Sequence, residues 1–170
     1  MHIDKCRHSF AQLASTVLPA HMKKLRLALT APFPASTFAA AGKGPASIAQ
    51  SLSLAGEFSG CYVLIDQHQP IYVGISRRVL ARLRQHFTGK SHFDASLVYA
   101  VAQKRSPTKG TRSKVMDDPQ FQKAFAAAQS HLLSLHVSFV AIKNPLELYI
   151  FEAFAAIELG THEWNTFRTH

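Results

Sequence analysis

Two β-type runs followed at once by an amphipathic helix restrict the fold of this sequence more than any other feature. CYVLID starts at Cys61 and IYVGIS at Ile71, with QHQP between them as a four-residue turn, so the pair reads as a hairpin. SRRVLARLRQHF then switches to helical periodicity. Ser76 is its expected N-cap, and Val79, Leu80, Leu83 and Phe87 form one apolar face. Further on, ASLVYAVAQK reads as a helix, KRSPTKGTRSK as a mobile basic loop, and DPQFQKAFAAAQSHLLS as a helix with Asp118 capping and Pro119 in its first turn. LHVSFVAI alternates as a third strand. NPLELYIFEAFAAIEL closes the order as a helix, with Asn144 as cap and Glu147 three residues on, a capping-box spacing. This β-β-α-(α-α)-β-α order predicts an α+β domain over residues 56–170: a small three-stranded antiparallel sheet flanked by helices. An inserted helical and basic-loop segment occupies about 90–134.

Residues 1–55 read as a helical extension packed on that domain. Asp4 is the expected cap of a helix to about Val17, with Phe10, Leu13, Ala14 and Val17 on one face. A second helical piece, HMKKLRLAL, follows Pro19, then the loop signals TAPFPAST and GKGP, then a short helix in ASIAQSLSL.

Composition sets the class. The chain has 170 residues, 47% of them apolar and 17% charged, enough to build a core and incompatible with a disordered chain. Cys6 and Cys61 are too few for a disulfide framework, which with the absence of a signal-like N-terminus leads to the expectation of a cytoplasmic protein. No apolar run is long enough for a membrane span. Charge is concentrated: ten basic residues between Gly60 and Lys114 face only Asp66 and Asp94. Arg77, Arg78, Arg82, Arg84, Lys90, Lys104, Arg105, Lys109, Arg112 and Lys114 are the footprint expected of a phosphate-backbone binder. A solvated basic face or an acidic protein partner is the alternative.

Two features carry chemistry of their own. Arg78, Arg82 and His86 recur at i, i+4 and i+8, a stripe on the flank of the apolar face that borders a cleft or is simply solvated. Glu152 lies among Leu148, Tyr149, Ile150, Phe151, Phe154 and Ala155, where a buried carboxylate needs a metal ion, a cationic side chain or a salt bridge at the helix rim. Tyr62 and Tyr72 sit on the paired strands beside Gly60 and Gly74; strand tyrosines usually fill a core. A glycine inside a strand, as at Gly74, marks a bulge or a close backbone approach. Other motifs fail: GKS at 89–91 lacks the earlier glycine of a phosphate-binding loop, the ten histidines have no zinc-binding spacing, and no GxSxG elbow is present.

In this order the residues resemble the GIY-YIG nuclease superfamily over roughly residues 60–167. Gly60-Cys61-Tyr62 stands for the first tripeptide and Tyr72-Val73-Gly74 for the second. Arg82 takes the arginine position, His86 follows one turn later, Glu152 matches the metal-binding glutamate and Asn165 the terminal asparagine. Cys61 and Val73 stand where the family has isoleucine, and the segment after His86 is longer than in minimal members. No separate C-terminal DNA-binding domain is expected.

The resemblance implies a DNA endonuclease dependent on Mg²⁺ or Mn²⁺ held by Glu152. In that reading Arg82 grips the scissile phosphate, Tyr62 or His86 is the general base, Tyr72 positions water or phosphate, and Asn165 braces the site. One such site cuts one strand, so double-strand cleavage would need a homodimer or two nicks. A non-catalytic nucleic-acid-binding module on the same scaffold is the alternative, and a purely structural role for Tyr62, Tyr72 and Glu152 a third.

Overall fold

The computed structural model describes residues 3–167; the outermost ends of the two expected segments, residues 1, 2 and 168–170, lie outside them. Two compact units partition the chain. The first comprises the chain up to Phe33, Phe58–Val79 and the chain from His136 on; the second comprises Pro34–Glu57 and Leu80–Leu135.

In the first unit, α1 (Phe10–Gln12), a π-helical stretch (Leu13–Val17) and α2 (Leu18–Ala28) follow one another without a break. The sequence suggests an Asp4 cap and a stop before Pro19, and both differ here. Ser9 is the cap: its Oγ accepts from Gln12 N at 3.2 Å while its own N–H donates to Gln12 Oε1 at 2.8 Å. Pro19 is accommodated because the preceding turn is π-type, with Leu18 N–H reaching Leu13 O, and a π-bulge absorbs the hydrogen bond that proline cannot make.

The sheet has four strands rather than three, in the order β1-β4-β2-β3: β1 (Phe33–Pro34), β2 (Gly60–Asp66), β3 (Gln69–Ser76) and β4 (His136–Ala141). The additional strand is short and comes from TAPFPAST, where prolines argue for a loop. Pro34 is tolerated because β1 is an edge, and the Phe33 ring stacks on Phe139 at 5.5 Å and 12°. β2 pairs antiparallel with both β3 and β4.

The hairpin turn is tighter than QHQP implies. Only Gln67 and His68 form the loop, both at positive φ (43° and 68°), as a two-residue hairpin with the sheet's twist requires. Gln69 and Pro70 already belong to β3, and Pro70 fits because the register shifts between Leu64 and Ile65.

One face of the sheet is covered by α2 and by α9 (Pro145–Leu159). Leu18, Met22 and Leu25 meet Cys61, Val63 and Val73, and Leu148, Phe151 and Ala155 complete this core. Each fully buried leucine, valine, methionine or phenylalanine of this core contributes about 1.5–3 kcal/mol. Asn144 caps α9 through Leu146 N and Glu147 N at 3.0 and 3.1 Å. The Glu147 carboxylate does not serve the capping box expected of it. It bonds His21 Nε2 at 3.0 Å and so ties α9 to α2.

The second unit is helical: α3 (Ser36–Ala39), α4 (Pro45–Ser51), α5 (Val79–Thr88, its first residue from the other unit), α6 (Ser96–Arg105), α7 (Arg112–Asp117) and α8 (Pro119–Leu133). Phe38, Leu80, Leu83, Phe87, Phe121 and Leu132 are buried. Asp118 caps α8 through Gln120 N and Phe121 N. The basic loop expected before α8 is partly ordered as α7, capped by Thr111.

Candidate active site

The glycine motifs are explained by packing. A Cβ on Gly60 would overlap the carbonyl oxygen of Val140, and one on Gly74 would meet Cζ and Oη of Tyr62 at 2.5 Å. Tyr62 faces Gly74 in the β2–β3 register and is 1% exposed, so its ring lies over the backbone of the neighbouring strand. Tyr72 is half-buried, with its ring 6.2 Å from that of Tyr62. Because Cys61, Val63 and Val73 belong to the core beneath α9, strand alternation sends both tyrosines to the other face.

Glu152 is on α9. Its carboxylate is half-buried and has no hydrogen bond or ion pair among the described residues. Burial raises its pKa above the ordinary glutamate value. Burial, with a smaller push from the charge of Glu152, holds Cys61 as an unreactive thiol.

Asn165 does something the sequence alone does not reveal. Its Oδ1 accepts from Val73 N at 2.8 Å and its Nδ2 donates to Val73 O at 2.7 Å. One side-chain amide thereby completes the edge of β3 between Tyr72 and Gly74, as a further strand would.

In the second unit, α5 carries Arg82 and His86. Glu57 holds the start of this helix: its two carboxylate oxygens accept from Leu80 N and Ala81 N, each at 2.8 Å. Ser76, the expected cap, accepts from Arg78 N rather than from the first turn of the helix. Glu57 stands 23 residues before Leu80, so no local pattern signals it. The Arg82 guanidinium donates to Asp94 O (3.1 Å) and Ser96 Oγ (2.7 Å). Neither partner is anionic, so its positive charge is left uncompensated by them.

His86 is fully buried rather than on a solvated stripe. Burial, aided by the charge of Arg82, lowers its pKa to about 3, so the ring is neutral at physiological pH.

The basic residues divide. Arg77, Arg78, Lys90, Lys104, Arg105, Lys109 and Lys114 are exposed. Arg84 is half-buried and donates to Ala40 O, and Arg112 lies over the Tyr99 ring at 5.6 Å. No cluster of three metal-ligating side chains occurs among the described residues.

Residues 58–118 match the family model of the GIY-YIG catalytic domain. This segment is a GIY-YIG domain. It contains Tyr62, Tyr72, Arg82 and His86, whereas Glu152 and Asn165 lie beyond the matched residues. No curated protein and no solved structure matches the chain. A GIY-YIG domain is of nuclease type, which implies a nucleic-acid substrate, and GIY-YIG nucleases generally use divalent metals. No helix among the described residues is long and apolar enough to cross a membrane.

Proposed function

We propose that this protein is a DNA endonuclease that hydrolyses phosphodiester bonds with the help of Mg²⁺ or Mn²⁺. Beside the family match, the observation that carries this reading is the Glu152 carboxylate, desolvated in an apolar helix and paired with nothing else in the described chain. A lone carboxylate that is partly open to solvent suits a hard divalent ion, which keeps much of its hydration shell. When bound, such an ion supplies charge neutralisation at the phosphate and a more acidic water.

The rest of the chemistry falls to the chain. Arg82 holds the non-bridging phosphate oxygens with the donors that Asp94 and Ser96 leave unused. It opposes the charge that develops as the water oxygen bonds to phosphorus while the phosphorus–sugar oxygen bond breaks, the leaving oxygen taking its proton from solvent. Tyr62 is the group assigned to take the proton of that water, and Tyr72 orients the water by a hydrogen bond. His86, a neutral and weakly basic ring, holds position rather than taking the proton. Asn165 fixes β3, the edge strand that carries Tyr72, and Glu152, on α9, is the residue that would hold the metal ion.

Arg82→Ala and Arg82→Lys test this assignment. Both should retain the fold. Removing an electrostatic stabiliser of this kind should slow cleavage about 10²- to 10³-fold, with lysine recovering only part because it lacks the planar fork. Cleavage by Arg82→Ala at the parent rate would overturn the role given to Arg82.

A further inference from the structure

The second unit holds a cleft of about 500 Å³ whose lining includes Lys90, Ser91, Phe93, Ser113, Asp117 and Phe125. We propose that this cleft takes an unstacked base of single-stranded DNA, with Phe93 as its stacking platform; the proposal deepens the nuclease reading and rests on it. Phe93 is 76% exposed, an unusual setting for a phenylalanine at the mouth of a cleft.

The turn that carries the ring is also pinned. Ser91 Oγ donates to Asp94 Oδ2 at 2.8 Å and accepts from Asp94 N at 3.1 Å, closing the turn that presents Phe93. His92 stands 4.0 Å from Phe93 and 5.9 Å from Tyr99, which packs on buried Phe121, so the platform is backed by rings down to the core. A rigid aromatic loses little entropy when a base stacks on it.

Charge and hydrogen bonding fit the same occupant. Lys90 at the cleft, and Arg112 and Lys114 on either side of Ser113, offer cations to a backbone. Asp117 repels phosphate and accepts hydrogen bonds, which suits the amino edge of a base. Arg82 Nη1 bonds the carbonyl of Asp94, the residue after Phe93. A phosphate gripped by Arg82 and a base on Phe93 therefore belong to one short span of the same strand. The substrate class that follows is DNA with unpaired nucleotides next to the cut: single strands, flaps or branches.

The test is fluorescence anisotropy in EDTA at roughly 0.1 M salt. The full chain is titrated onto a labelled single strand of about 15 nucleotides and onto the matching duplex. The parent should prefer the single strand. Phe93→Ala should weaken single-strand binding about tenfold and leave duplex binding unchanged, while Phe93→Trp retains the preference. No preference in the parent, or an equal loss on both ligands, would overturn the proposal. Cleavage in Mg²⁺ of a labelled single strand and of a flapped duplex by the same preparations separates the two claims. A parent that shows the Phe93-dependent preference but never cuts loses the nuclease reading and keeps the stacking site.

Discussion

At the scale of single residues, Glu152 and His86 show opposite consequences of burial. For Glu152 the folded state disfavours the charged form, so folding loses stability as pH rises through its raised pKa and the metal-free protein bears this cost at neutral pH. The group is partly solvated, which limits the effect to about 0.5 kcal/mol. Glu152→Gln should therefore raise the Tm of the metal-free protein at pH 7 by about 1–2 °C in calorimetry, and should abolish any stabilisation by added Mg²⁺. A lower Tm for the variant would mean that the carboxylate has a stabilising partner.

His86 runs the other way. Its folded pKa of about 3 lies below the unfolded value of 6.5, so between these limits the unfolded state binds the extra proton. Stability is complete above pH 6.5 and falls as pH is lowered, with a slope from this group approaching about 1.4 kcal/mol per pH unit. Urea midpoints at pH 7 and pH 5 should show that fall in the parent and a flatter dependence in His86→Gln.

At the scale of elements, what could be read in the sequence was what is specified locally. The hairpin, the amphipathic α5 and the Asp118 and Asn144 caps lie within a few residues of the positions they govern, and period and cap chemistry suffice to place them. The four-residue turn, the stop before Pro19 and the missing β1 are failures of local rules against tertiary context. A bulge lets Pro70 into β3, a π-turn lets Pro19 into a helix, and an edge position with a ring stack lets Phe33–Pro34 pair. Glu57 on α5 and Asn165 on β3 act across 23 and 92 residues, where no spacing rule reaches. The sequence orders Asn165 after Glu152 but does not say that its amide takes the place of a strand. Asn165→Ala should leave the N–H and C=O of Val73 without that partner and destabilise the fold by about 1–2 kcal/mol in denaturant titration. Asn165→Asp, which keeps an acceptor and loses the donor, should fall between. An unchanged midpoint for the alanine variant would show that water serves the edge equally well.

At the scale of the whole molecule, the basic stretch seen in the sequence is shared by both units. Arg77 and Arg78 belong to the sheet unit, and the residues from Arg82 to Lys114 to the helical one. The two sets of candidate residues divide likewise, with Tyr62, Tyr72, Glu152 and Asn165 in one unit and Arg82 and His86 in the other. Their order along the chain was legible because the family's spacing is sequential. The burial of His86, the face of the tyrosines and the unpaired state of Glu152 were not, since each depends on what packs around the side chain. The central claim is metal-dependent phosphodiester cleavage served by Glu152. Cleavage of a labelled flapped duplex in Mg²⁺ and in EDTA, with Glu152→Gln beside the parent and both shown to be folded by circular dichroism, tests it most directly. The account predicts cut strands from the parent in Mg²⁺ alone and none from the variant. Equal cleavage by parent and variant, or cleavage that survives EDTA, would contradict it.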